Sequence, residues 1–344
     1  MERTRNPAAE IFLWCRAAIW LGAIFALLWF EPNRQPTADR WDSSLIHQLG
    51  YGTDVWARWD SVFFVRIARH GYDSASAAFY PLYPTLVAGL GRVLGGQYVI
   101  AGILISLGSA LGALVLLYRL AETKLGADGA RRSVVYLALF PMAVFLGAVY
   151  SESLFLLLSV AAFALAERRR FLAAGVVVGL AILTRAVGFA LLPALALLAW
   201  PDRRALARLA VALPIVAAYP LLLWQQLGDP WAFWGAQDLW HRHISKAGPL
   251  GGIWYGLQAL WRPAPSGAGP MHALAVDIEA FVALVLFVGL AVLAWRRLGA
   301  AYGLYAVLSL ALPLTVPSSR WPLLSLPRFG LVIFPLFLAL ATLG

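Results

Sequence analysis

The chain has 344 residues, 61% of them hydrophobic, with a mean hydropathy of +0.75 and a formal net charge of +10. Soluble domains run near 45–50% apolar, so this composition places the chain in a lipid bilayer. The basic excess does not indicate nucleic acid, because the arginines sit in short gaps between apolar runs and not on a soluble basic face. Positive-inside bias and attraction to anionic headgroups account for it. The single Cys15 excludes an intramolecular disulfide or a thiolate metal cluster.

Taken in chain order, Met1–Glu10 carries Arg3 and Arg5 and precedes the apolar run Ile11–Phe30. That run is too long for a signal-peptide core and no A-x-A site follows, so it reads as a retained signal anchor with a cytoplasmic N-terminus. Further basic clusters, read as cytoplasmic, stand at Arg119/Lys124/Arg131/Arg132, at Arg168/Arg169/Arg170, at Arg203/Arg204/Arg208 and at Arg296/Arg297. Backbone groups in lipid are satisfied within a helix, so the fold class is an all-α integral membrane protein. It is expected to form one membrane-embedded domain over residues 1–344, with about ten to eleven transmembrane helices of roughly 20 residues each.

The first outer loop, Glu31–Ala78, is long enough to carry structure of its own. Within it Trp59–His70 reads as an amphipathic helix lying along the membrane surface, with Trp59, Val62, Phe63 and Ile67 on its apolar side. Phe79–Gly95 and Val99–Tyr118 look like two crossings, which would leave Arg119–Arg132 outside, against the charge rule. Either Phe79–Gly95 is interfacial or re-entrant, or the rule fails there.

Ser133–Glu167 joins two basic clusters and is broken by Pro141 and by Tyr150-Ser151-Glu152-Ser153, which predicts a hairpin with Glu152 at the outer turn. Phe171–Trp200 is interrupted once, at Thr184-Arg185, so Arg185 is expected at the tip of two short helices. Ala207–Leu227 then crosses, and 228–272 forms a second large outer loop rich in Trp, Pro and Gly. Ala273–Trp295 returns, Ala301–Val316 goes out, Pro317–Arg328 is an outer loop and Phe329–Leu343 returns.

This topology brings Asp60, His70, Tyr72, Tyr80, Glu152, Arg185, Gln237, Trp240, Arg242, His243, Arg320 and Arg328 to the outer side. Ionisable residues flanked by apolar helices, such as Glu152 and Arg185, are functional candidates. The set suits glycosyl transfer from a phosphate leaving group: a carboxylate takes the acceptor's proton and guanidinium groups neutralise the departing phosphate. Tyr and Trp offer flat faces for sugar rings. Plainer readings stand beside these. Asp60 can cap the helix that starts at Ser61, Glu152 can end a hairpin in water, Arg185 can snorkel, and His70 can be an interfacial surface residue. Tyr80-Pro81-Leu82-Tyr83-Pro84 can be a rigid helix entry, and His241 and His243 make only a weak metal pair.

The string Trp59-Asp60-Ser61-Val62-Phe63-Phe64-Val65-Arg66-Ile67-Ala68-Arg69-His70-Gly71-Tyr72, followed by Ala78-Phe79-Tyr80-Pro81-Leu82-Tyr83-Pro84, resembles the signature of the PIG-V mannosyltransferase family. The resemblance continues through Tyr150-Ser151-Glu152-Ser153-Leu154-Phe155, Leu183-Thr184-Arg185 and Ala232-Phe233 with Gln237, Trp240 and Arg242, and ends in Leu326-Pro327-Arg328-Phe329. It implies a GT-C bundle, a polyprenyl- or dolichyl-phosphate-linked mannose donor, an inverting mechanism and a site on the non-cytoplasmic face. It also implies Asp60 as base and Glu152 as the second acidic position. Arg185, Arg242 and Arg328, with His70, fall to the donor phosphate or lipid head; Trp59, Tyr72, Tyr80, Tyr83, Gln237 and Trp240 fall to the sugar or acceptor. No metal or other cofactor is implied, since a lipid monophosphate lacks the chelating diphosphate.

Only Lys124 and Lys246 are lysines, and the Ala, Leu and Gly content suggests a high-GC bacterium, so the expected location is a bacterial plasma membrane with the site facing outward. The expected partners are membrane lipid, the lipid-phosphate sugar and a glycolipid or glycan acceptor, with no nucleic acid. A transporter or flippase of a lipid-linked sugar would place polar residues at the midplane of paired repeats, and no such repeat is visible. A non-catalytic membrane scaffold is the other alternative.

Overall fold

The computed structural model describes residues 6–29, 50–261, 270–319, 321–323 and 325–344. Arg3, Arg5, Arg320 and residues 31–49 of the first outer loop lie outside the described residues, as do 262–269 of the second. Among the described residues the chain is helical apart from one isolated antiparallel bridge, Arg242 to Ser318.

Among the described residues four helices are long and apolar enough to cross a bilayer: Ala8–Trp29, Tyr98–Ala138, Arg203–Leu227 and Leu274–Leu298. Shorter apolar helices, Phe171–Ile182, Ala186–Ala199 and Ala300–Thr315, pack among them. Water does not drive helices together inside lipid, so close contact depends on small residues and shape. Gly175 and Gly179, one turn apart, illustrate this. A Cβ on Gly175 would come 2.7 Å from the Leu209 carbonyl oxygen, and one on Gly179 would come 2.8 Å from Ile215 Cβ. Larger side chains there would push Phe171–Ile182 off the Arg203–Leu227 helix.

The segment whose topology the sequence left open has a definite form. Leu82–Val93 is a 12-residue helix, about 18 Å at 1.5 Å per residue and too short to span the hydrocarbon. Tyr98–Ala138 is two helices joined at Gly126, where φ is 72° and only glycine turns without strain. The first half runs away from the Asp60 end and the second half returns. Arg119, Lys124, Arg131 and Arg132 therefore gather at the opposite end of the bundle, as the charge rule requires.

That basic end is tied together by specific contacts. Lys124 Nζ lies 2.8 Å from Glu167 Oε1, and the Tyr302 hydroxyl donates to the same oxygen at 3.0 Å. Arg132 Nε donates to the Ala341 carbonyl and Arg169 Nη1 to the Leu198 carbonyl. At mid-bundle Phe163 packs its ring against Tyr302, Tyr305 and Phe334.

The amphipathic helix of the first loop runs Ser61–His70. Its buried face is Phe64, Val65, Ile67 and Ala68, packed on Leu82–Val93 and the start of Tyr98–Ala138. Of the residues expected on the apolar side, Ile67 is buried, Val62 and Phe63 are half-buried and Trp59 is exposed. Phe64 turns the face inward, because its ring meets Phe79, Tyr83 and Tyr150 edge-on.

Candidate active site

Three breaks in the helices build the site. The first is the turn before Ser61–His70, where Trp59 takes a left-handed backbone (φ 53°) that costs a non-glycine residue about 1 kcal/mol. The Asp60 N–H donates to the Tyr150 hydroxyl at 3.2 Å, and that hydroxyl donates to the Arg58 carbonyl at 3.1 Å. Tyr150 thus clamps both sides of Trp59. The Asp60 side chain makes no capping hydrogen bond, so helix capping does not explain it. Its Oδ2 lies 2.6 Å from Arg328 Nη1 instead.

The second break follows the 3₁₀ turn Pro141–Leu146, and Glu152 opens the next helix, Glu152–Glu167. Its side chain is fully buried, with Oε1 2.8 Å from Arg185 Nη1 and 3.4 Å from Arg328 Nε. Neither carboxylate oxygen has a well-aligned hydrogen bond within the protein. The attraction is therefore charge to charge, and Glu152 is not a water-exposed hairpin end. The third break is Arg185 itself, extended (φ −157°, ψ 142°) between Phe171–Ile182 and Ala186–Ala190. Arg185 Nη1 also donates to Ser151 Oγ at 3.1 Å, so it does not snorkel to solvent.

Arg242 comes from the second outer loop, held by its bridge to Ser318 and by its own N–H donating to the Gln237 carbonyl at 3.1 Å. Arg328 lies on the short helix Leu326–Leu331. The guanidinium carbons of Arg185, Arg242 and Arg328 stand 5.7, 5.7 and 5.6 Å from the centre of the Phe329 ring. Burial, with Arg328 and Arg185 nearby, brings the Arg242 pKa down to about 10. For Arg328, burial pulls the same way but the Asp60 and Glu152 carboxylates outweigh it and raise the pKa. Among the described residues, the three guanidinium groups of Arg185, Arg242 and Arg328 therefore face two carboxylates, leaving one positive charge for an anion to balance.

A hydrogen-bonded layer supports the cluster. Tyr83 is fully buried, with its hydroxyl 2.9 Å from Ser106 Oγ and donating to the Gly102 carbonyl; Ser106 Oγ donates to the Tyr150 carbonyl. Tyr83 therefore sits behind the site. Tyr72 and Tyr80 group with Tyr219 at ring distances of 5.8 and 4.9 Å, and the Tyr219 hydroxyl donates to the Ala77 and Phe79 carbonyls. Burial raises the Tyr80 pKa to about 12. This group adjoins the Arg185 turn through the bond from the Leu82 N–H to the Leu183 carbonyl, 2.9 Å. Trp240 stands edge-on to Phe63 and Phe79, and Gln237 Nε2 reaches the Phe233 carbonyl at 3.5 Å. Trp59 is half-exposed, 6.3 Å from the Phe145 ring. His70 is exposed at the far end of its helix, ten residues from Asp60 in sequence and about 15 Å along the axis, and does not join the cluster. His243 Nδ1 pairs with Asp238 at 3.2 Å.

The sequence did not single out Arg16. It is buried within the first span and its Nη1 donates to the Ala143 carbonyl at 2.8 Å, which satisfies the 3₁₀ turn leading to Tyr150 and Glu152. The signal was available, since an arginine inside an otherwise apolar span needs a partner.

Taken together these features define an all-helical multi-pass membrane protein with a buried arginine–carboxylate centre at one end. The family described as Mannosyltransferase (PIG-V) matches residues 42–198, a stretch that contains Asp60, Glu152 and Arg185. That match bears out the resemblance over a stretch a little under half of the chain. No curated protein matches the sequence. Among solved structures, the oligosaccharyltransferase of Archaeoglobus fulgidus, crystallised in complex with zinc and sulfate, aligns with a TM-score of 0.41 and 16% identity over 81% of this chain. The aligned part is 43% of that protein's length, so this chain spans less than half of it.

Proposed function

We propose that the protein is a GT-C glycosyltransferase that moves a sugar, mannose by family, from a polyprenyl-phosphate carrier to a lipid or glycan acceptor at the non-cytoplasmic face of a bacterial plasma membrane. The observation that carries this reading is the net positive, largely buried cluster of Arg185, Arg242 and Arg328 around Asp60 and Glu152.

In this mechanism Asp60 is the general base. Of the two carboxylates it is the reachable one, 16% exposed against none for Glu152. The acceptor hydroxyl gives its proton to Asp60 as its oxygen bonds to the anomeric carbon. The bond from that carbon to the phosphate oxygen breaks on the opposite face, and its electron pair leaves with the polyprenyl phosphate, inverting the centre. The three guanidinium groups take up the charge on the departing phosphate. Glu152 keeps Arg185 and Arg328 in place, and the tyrosines and Trp240 offer faces for the sugar rings. The lipid-phosphate sugar is a co-substrate in this reading.

The test is to incubate the purified protein with polyprenyl-phosphate sugars and total membrane lipid and to identify products by mass spectrometry. A glycosylated lipid or glycan with release of polyprenyl phosphate is expected. A donor left intact in the presence of every lipid fraction overturns the reading.

A further inference from the structure

At the basic end of the bundle, opposite Asp60, the hairpin after Glu167 and the chain after Ala199 enclose a cleft of about 510 Å³ lined by Arg169, Phe171, Trp200, Pro201, Asp202 and Arg208. We propose that this cleft binds the headgroup of an anionic phospholipid.

Charge is the first argument. Two arginines and one carboxylate line the cleft, and the carboxylate is already engaged. Asp202 Oδ1 accepts from the backbone N–H groups of Arg204 at 2.9 Å and Ala205 at 3.2 Å. The neighbouring Glu167 is held by Lys124 and Tyr302. Two arginines against one carboxylate leave the cleft with a net positive charge, and the carboxylate is held by backbone N–H groups and not by either arginine. Arg169 is aimed by its backbone, left-handed at φ 58°, and by its bond to the Leu198 carbonyl at 3.1 Å. A guanidinium with donors left over is well matched to phosphate oxygens.

Surroundings choose the source of that phosphate. Trp200 lines the cleft and is 71% exposed, and Leu172, next in sequence to the lining residue Phe171, and Leu197, on the helix that ends at Ala199, are 55% and 45% exposed. The cleft's own lining adds Phe171, Trp200 and Pro201 to the arginines, apolar surface that suits acyl chains beside a charged headgroup. Trp200 is the amphipathic side chain expected at a membrane–water boundary. A free phosphate would gain nothing from these residues.

The experiment uses the full-length protein, delipidated in detergent and offered equal amounts of phosphatidylglycerol and phosphatidylcholine, with retained lipid read by native mass spectrometry. Wild type is expected to retain phosphatidylglycerol preferentially. Arg208→Gln should lower that preference about fivefold and Arg169→Gln with Arg208→Gln about thirtyfold. If the double variant fails to run as a folded species on size exclusion, Arg208→Gln and Trp200→Ala decide the matter singly. Equal retention of the two lipids by wild type, or unchanged preference in the variants, overturns the proposal. So does complete displacement of the lipid by millimolar inorganic phosphate, which would make the cleft a free-anion site.

Discussion

The Arg328 guanidinium meets Asp60 across 268 residues of sequence, with Nη1 2.6 Å from Oδ2. The ion pair occupies Asp60 Oδ2, and the donor phosphate is the anion suited to draw the arginine away and leave that oxygen open to the acceptor hydroxyl. Donor binding should therefore precede productive acceptor binding. Initial-rate kinetics are expected to show an ordered sequence with donor first. Asp60→Asn should lower turnover by roughly 100-fold or more while donor affinity stays within a few-fold of wild type. Near-normal transfer by that variant would remove Asp60 from the role of base.

Glu152 is fully buried between Arg185 and Arg328. Removing one partner from a buried ion cluster leaves the remaining charges without compensation, at a cost of about 3 kcal/mol. Glu152→Gln keeps the shape and removes the charge, so it should lower the midpoint of thermal unfolding in detergent and raise the donor KM as the arginines lose their register. A variant as stable as wild type would show that Arg185 and Arg328 are held by other contacts.

The Tyr150 hydroxyl reaches the site only through backbone, between the Asp60 N–H and the Arg58 carbonyl, while its ring lies 5.2 Å from the Arg328 guanidinium carbon, a contact that phenylalanine keeps. It is a positioning residue. Tyr150→Phe leaves two polar groups without their partner, costing about 1–3 kcal/mol. The expected signature is a fall in kcat with an unchanged donor KM, since the phosphate-facing arginines keep their own supports. A rise in donor KM with kcat intact would assign Tyr150 to donor binding instead.

Asp73 gives a pH handle on the loop that carries Tyr72. Burial acts to raise its pKa, but the Ser76 hydroxyl and N–H, with Arg66, outweigh burial and hold it below the ordinary carboxylate value. A depressed carboxylate stabilises the fold at pH above its unfolded value, about 3.9, and that contribution fades as pH falls through the lower folded value. Wild type should therefore lose more stability than Asp73→Asn when pH is taken from 5 to about 3. Parallel unfolding curves for the two proteins would show that the turn contributes nothing.

What could be read from the sequence was where the helices break. Glu152 and Arg185 interrupt apolar runs between basic clusters, and a polar break inside a membrane helix leaves few places for a charge to go. Which charges meet was not legible. Asp60 and Arg328 lie in loops far apart in sequence, and only tertiary packing selects the pair. Phe79–Gly95 was left between a crossing and an interfacial or re-entrant piece, and the short Leu82–Val93 helix is the second of these. The apolar run Phe79–Gly95 is close to the length of a crossing, and the glycine bend at Gly126 that resolves the topology looks in sequence like any glycine in a helix. That Arg16 needs a partner follows from its place in an apolar span, but which partner does not, since a backbone carbonyl has no sequence signature.

Arg185 offers the most direct test of the cluster as a phosphate site. It is the arginine nearest Glu152, at 2.8 Å, and it shares the Phe329 ring with Arg242 and Arg328. Truncation to alanine removes one of three cations and leaves Glu152 with the more distant Arg328, so the cluster falls from a net positive charge to neutral. A charge-assisted hydrogen bond to phosphate contributes roughly 2 kcal/mol, so donor affinity should fall about thirtyfold. Arg185→Lys should recover part of that loss, because the charge returns without the bidentate fork. Acceptor affinity measured with donor saturating should be unaffected. Donor binding that is indifferent to Arg185→Ala would mean that the phosphate sits elsewhere and that this arginine serves only to neutralise Glu152.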